Sequence, residues 1–136
     1  MLLTDDYRVM AAKRIAAELI RLAAGMNMTC PRTWVIVAVR LRITPSPYPM
    51  SDKHPPEKQS RGWLVHNSAR DAWVIEWNTG LSEREQSEAI VHELAHWFQR
   101  AATSEWVCNE PAVYWYEGPD DERHRIARLV ESLVFA

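Results

Sequence analysis

Apolar side chains recur at helical spacing near the start of the chain. Val9, Ile15, Leu19 and Leu22 fall towards one side of a helix with 3.6 residues per turn. Thr4 stands where an N-cap is needed, Asp5 and Asp6 occupy the first turn, where acids favour the helix dipole, and Gly25 supplies a stop. The pattern predicts a packing helix that ends at about Ala24. Residues 33–42 change character: they are rich in β-branched side chains and alternate near their end, which predicts a strand. Residues 43–61 hold Pro45, Pro47, Pro49, Pro55 and Pro56 and predict a long irregular loop. A loop of that length inside a small domain is either functional, for example as a lid, or mobile. Residues 62–66 and 72–77 predict two further strands, joined by a hairpin turn over Asn67–Asp71.

Ser82-Glu83-Arg84-Glu85 forms a capping box, with Ser at the cap and Glu three residues on. It opens a helix that runs to about Ala101. Residues 102–118 read as irregular, or as a short helix beginning near Pro111. Gly118-Pro119-Asp120 then begins a last helix, on which Ile126, Leu129, Val130, Leu133 and Val134 form one apolar stripe. The order is a helix, three strands and two helices, an α+β class. With no internal repeat, low-complexity tract or linker, residues 1–136 are expected to form one domain.

Composition narrows the functional classes. The 136 residues are 47% apolar and 25% charged, enough for one core within a polar surface. A net charge of -2 gives no support to direct nucleic-acid binding, which calls for a basic excess or stripe. The longest apolar run, Trp34 to Val39, is far too short to span a bilayer. Asp5 and Asp6 stand where a secretory signal needs positive charge. Cys30 and Cys108 do not make a disulfide framework, so the expectation is a cytoplasmic protein with reduced thiols. Seven tryptophans add bulk to a small core, and Trp73 and Trp77 are expected there. His54, in the proline-rich loop, is expected to face solvent, and Cys108 to be a small buried hydrophobe.

The chemistry lies in His92-Glu93-Leu94-Ala95-His96, the pattern H-E-x-x-H, well inside a helix predicted on independent grounds. Residues four apart project from one helix face, so both imidazoles can reach one ion. Zinc accepts imidazole nitrogen at about 2.0–2.1 Å. Glu93 is rotated by about 100° from His92, beside such an ion and free to act as a base on its bound water. A helix that carries two histidines by chance would expose them. Here Ala89, Ile90, Val91, Leu94, Ala95, Trp97 and Phe98 make the stretch strongly apolar, so His92, Glu93 and His96 need partners.

A catalytic zinc site has three protein ligands and one open position. No H-x-x-G-x-x-H continuation follows, so the third ligand must come from Glu105, Glu110, Glu117, Asp120, Asp121, Glu122 or His124. Glu122 is the best placed. It lies four residues before Ile126 and seven before Leu129, and extends that apolar stripe by one turn. An acid facing the core must be neutralised, and an ion does so. Glu110 and Asp121 remain alternatives. His124, two residues from Glu122, points away from it on a helix and is expected at the surface.

The stretch Glu85–Val134 resembles the ImmA/IrrE family of small gluzincin-type metallopeptidases. The family has an H-E-x-x-H helix and a later helix with a pattern like E-A-x-x-F-A, which reads Glu122-Arg123-His124-Arg125-Ile126-Ala127 here. Arg123, His124 and Ala95 depart from the family's usual small residues and glycine. Asn109-Glu110 also resembles the second-helix signature of larger gluzincins. The resemblance implies a zincin-like fold: an N-terminal helix, a three-stranded sheet, the H-E-x-x-H helix and a C-terminal helix carrying the third ligand. It implies Zn2+ on His92, His96 and Glu122, with Glu93 as catalytic base, in an endopeptidase that cuts a protein such as a helix-turn-helix repressor.

In such folds the strand before the motif helix, here 72–77, lines the cleft, where an extended substrate adds as a further strand. Tyr114, Tyr116 and His66 are candidate donors to the oxyanion. Two rivals stand beside this reading. A SprT-like protease, acting on DNA-bound protein, would show a histidine as third ligand and a basic surface. A non-catalytic zinc-binding interaction protein would have no use for Glu93.

Overall fold

The computed structural model describes residues 5–49, 61–67, 69–102, 113–114 and 122–136. The first helix, α1 (Asp5–Leu22), forms where expected and ends before Gly25, whose φ of +82° lies in the left-handed region that glycine enters freely. Its buried side is drawn by Ala12, Ala16 and Leu19, with Ala23 buried just past its end, while Val9 faces out. The C-terminal helix is its principal packing partner.

The next element overturns the expectation of a strand at residues 33–42. The chain there forms a helix, α2 (Pro31–Arg40), with Pro31 at its start, where a missing N–H costs nothing. An unbroken apolar run has no period of its own, so Trp34 to Val39 fits either geometry. Its surroundings decide. Trp34 donates its indole N–H to the Met28 carbonyl at 2.7 Å, and the Thr33 hydroxyl donates to the Asn27 carbonyl at 2.6 Å. These bonds fix the first turn. Thr33, Trp34, Val37 and Ala38 are then buried at helical spacing, which outweighs the modest strand preference of valine and isoleucine.

Arg42, at φ 62°, turns the chain from α2 into β1 (Ile43–Tyr48). This strand replaces the first part of the expected loop. Pro45 and Pro47 are tolerated because, among the described residues, β1 is an edge strand, where outward N–H groups have no partner to lose. The rest of that proline-rich segment, residues 50–60 with His54, lies outside the described residues.

β2 (Gly62–Asn67) and β3 (Ala72–Asn78) form the expected antiparallel hairpin, with Asp71 at φ 47° in the turn. Gly62 is required where it stands: a Cβ there would meet the Glu76 carbonyl oxygen at 2.7 Å. β3 also pairs parallel with β1, from Ile43 against Trp73 to Tyr48 against Asn78. The two-residue β4 (Val113–Tyr114) pairs antiparallel with Val65 and His66 of β2. Among the described residues the sheet is therefore mixed, in the order β1-β3-β2-β4. β3 has a partner on each side, so it offers no edge to an added strand, contrary to the expectation for residues 72–77.

The long helix α3 (Glu83–Ala102) starts as its capping box dictates. The Ser82 hydroxyl oxygen accepts the Glu85 N–H at 3.2 Å, and the Ser82 O–H donates to the Glu85 carboxylate at 2.8 Å. Trp77 donates to Gln86 Oε1 at 3.0 Å and ties the helix start to the end of β3. The final helix, α4 (Glu122–Val134), packs on α1 and α3. Leu64, Trp73, Ile75 and Trp77 from the sheet, Trp34 and Val37 from α2, Ile90 and Leu94 from α3, and Ile126 and Val130 from α4 share one core.

The helical α2 makes a prediction that a strand would reverse. On a strand Val37 and Val39 share a face; here Val37 is fully buried and Val39 is 57% exposed. Val37→Asp should cost more than about 3 kcal/mol, through an unpaired buried charge. Val39→Asp should stay within about 0.5 kcal/mol of the parent. Urea unfolding of the two variants checks this, and similar losses in both would contradict the helix.

Candidate metal centre

The centre of α3 is buried on every side, from Ala89 through His96. Apolar packing of Ala89, Ile90, Val91, Leu94 and Ala95 accounts for most of that burial. The polar residues of the motif are enclosed with them: His92 and Glu93 are 1% exposed and His96 is 5% exposed. One helical turn brings the two imidazoles to the same side, with ring centroids 4.8 Å apart and planes at 78°. The expected pairing of His92 with His96 is thus present.

A third imidazole joins them. His124 of α4 is buried, 9% exposed, with its ring centroid 4.6 Å from that of His92 and 6.3 Å from that of His96. His92 Nε2 and His124 Nδ1 approach to 2.9 Å. One potential ligand atom from each of the three histidines lies within 4.8 Å of the others. They are the one group of this kind among the described residues. A tetrahedral ion with bonds of about 2.0–2.1 Å holds its imidazole nitrogens about 3.3 Å apart. That spacing falls inside the range found here, so the three rings can hold a metal ion.

The expectation that His124 lies at the surface is therefore corrected, and the reason is the rotation of α4. Taking Leu129 and Leu133 as part of the buried stripe centres it near Ile126. In the fold Leu133 is exposed, while Ala127, Val130 and Val134 are buried. At 100° per residue the buried arc is turned by about 60° towards the line His124–Ala127–Glu131. An exposed leucine misplaces the centre of a helix face when a buried alanine such as Ala127 adds little to the hydropathy pattern. Glu122 opens α4, but its side chain lies outside the described residues, as do Glu105, Glu110, Glu117, Asp120 and Asp121.

Two further residues that the sequence did not single out fix the rings. His92 Nδ1 lies 2.5 Å from a carboxylate oxygen of Glu131, whose other oxygen pairs with Arg61 at 3.1 Å. His96 Nδ1 lies 2.9 Å from the side-chain oxygen of Gln99. A carboxylate or amide oxygen only accepts, so each Nδ1 carries a hydrogen, and a neutral ring then leaves the Nε2 lone pair to an ion. The sequence held a signal for both. Glu131 is two helical turns beyond His124, and Gln99 is one turn beyond His96.

The other candidates are distributed as follows. His66 is buried on β2, stacked on Trp73 with centroids 4.1 Å apart, and its Nε2 is 3.3 Å from Asp71 Oδ1. It does not belong to the three-histidine group. Tyr114 reaches the sheet through its backbone, opposite Val65; its side chain, and all of Tyr116 and Cys108, lie outside the described residues. Trp73 and Trp77 are core residues, as expected. Among the described residues no helix is long and apolar enough to cross a membrane.

No protein-family model, characterised relative or solved structure matches this chain.

His124→Ala should weaken zinc binding by more than about 100-fold, beyond the loss typical when a group that only orients a ligand is removed. Calorimetric titration of the purified variant checks this. Binding as tight as the parent's would assign the third ligand elsewhere, with Glu122 first to be tested.

Proposed function

We propose that this chain is a zinc-dependent peptidase with a zincin-like active site, in which His92, His96 and His124 hold the ion, in place of the two histidines and a glutamate that the ImmA/IrrE resemblance implies, and Glu93 is the catalytic base. The observation that carries the proposal is Glu93 itself. It is a fully buried carboxylate on the same turn of α3 as His92, yet it stands outside the three-histidine group. A zinc ion held only for stability takes four protein ligands and needs no neighbouring base. Three imidazoles and a separate carboxylate match a catalytic site with one open position.

Bound zinc lowers the pKa of a coordinated water towards about 7 and polarises a substrate carbonyl. The chain's own residues do the rest. Glu93 accepts the water proton on a carboxylate oxygen and returns it to the leaving amine nitrogen. Its burial keeps the carboxylate out of bulk water, where its interaction with nearby cationic charge would be weaker. His92 and His96 keep their Nε2 lone pairs turned inwards because Glu131 and Gln99 accept from their Nδ1 hydrogens. The substrate class, a specific protein such as a helix-turn-helix repressor, follows from the family resemblance alone.

One observation favours the second reading, a SprT-like protease acting on DNA-bound protein. The third imidazole, His124, is the type of ligand that such an enzyme has. The net charge of -2 weighs against it, since a basic surface should accompany that role.

The Glu93→Gln variant separates catalysis from binding. It should keep its zinc yet lose at least about 100-fold in hydrolysis, the lower end of what a general base contributes. Mass spectrometry of fragments from unfolded casein and from a helix-turn-helix repressor measures this. Equal behaviour of parent and variant on both proteins would instead support a non-catalytic zinc-binding protein.

A further inference from the structure

We infer that Glu131, clamped by Arg61, is the positioning residue that selects which nitrogen of His92 is offered to the metal; the inference rests on the metal reading above. The contact joins α3 to α4 across 39 residues of sequence and is short, 2.5 Å between His92 Nδ1 and Glu131 Oε2. Neutral imidazole carries one hydrogen, and its two nitrogens are not equivalent. A carboxylate at Nδ1 draws the hydrogen there and leaves the lone pair on Nε2, the nitrogen that meets His124 Nδ1 at 2.9 Å. Without that acceptor His92 is free to carry its hydrogen on Nε2, where it would block the ion.

The carboxylate is itself held in place. Arg61 Nη2 lies 3.1 Å from Glu131 Oε1. The Arg61 carbonyl accepts the Asn78 N–H at 2.8 Å, which anchors its backbone at the end of β3. The next residue, Gly62, allows β2 to close against the Glu76 carbonyl. A chain of contacts therefore runs from the sheet through Arg61 and Glu131 to the ring of His92. It reaches solvent at a surface groove of about 360 Å³ that Arg84, Glu88 and Arg128 also line, with Arg84 paired to Glu88 at 3.4 Å. His96 is oriented differently, by the neutral Gln99 amide. A charged acceptor binds an imidazole N–H more strongly than a neutral one. Glu131 therefore matters more to the ion than Gln99 does.

The test uses the full chain, with zinc affinity measured by competition against a chromophoric chelator. Glu131→Gln keeps the side chain's size and an oxygen but loses the charge, and should bind zinc about 10–100-fold more weakly than the parent. Arg61→Ala should fall in the same direction by a smaller factor, and Arg61→Lys should recover most of that loss. A second readout needs no metal. Nitrogen-15 NMR of the zinc-free parent should show the His92 hydrogen on Nδ1, and Glu131→Leu should lose that preference. A parent that binds zinc no better than Glu131→Gln, or a His92 hydrogen on Nε2 in the parent, would overturn the role of Glu131 alone. A parent that takes up no zinc would overturn the metal reading and this role together.

Discussion

Three imidazoles and a carboxylate are buried where α3 crosses α4, and burial of so many polar groups needs compensation from within the protein. Unpaired, they would oppose folding in a chain of 136 residues, whose net stability is only about 5–15 kcal/mol. The 2.9 Å approach of His92 Nε2 to His124 Nδ1 puts two ring nitrogens where a proton or a cation must mediate between them. A metal ion held between them would answer for both, and for His96 as well. The packing of the two helices and the chemistry of the site are thus one constraint. The apolar contacts that press α4 onto α1 and α3 also carry His124 inwards.

The remaining architecture supplies the rigidity that such a site needs. α3 is secured at its start by the Ser82 cap and by Trp77 on Gln86. Along its length it lies on β2 and β3 and against α2. From the other side, α4 reaches the sheet through the Glu131–Arg61 pair. The rings sit on long helices rather than on loops, so their positions depend on packing more than on local chain order.

What the sequence reveals about this fold follows the range of the forces involved. The hairpin at residues 62–78 and the capped helix from Glu83 are written in local signals, turn residues and a Ser–Glu pair, and both are legible. His92 and His96 are legible because their partnership is intrahelical. α2 and β1 are not. Residues 34–39 have no period to read, and the burial of Trp34, Val37 and Ala38 in the common core decides their state. Pro45 and Pro47 argue against a strand unless the strand is known to lie at an edge, and that is a property of the sheet. His124 is hidden for a related reason. The inward side of α4 includes Ala127, which carries little hydropathy signal, and leaves out Leu133, which carries much.

X-ray absorption at the zinc edge, recorded on the purified chain, bears most directly on the claim that three imidazoles converge on one cation. The account predicts one zinc per chain, with three imidazole nitrogens in its coordination sphere at about 2.0–2.1 Å and a lighter fourth contribution from water oxygen. Absence of zinc, or a coordination sphere with fewer than three imidazoles, would contradict it.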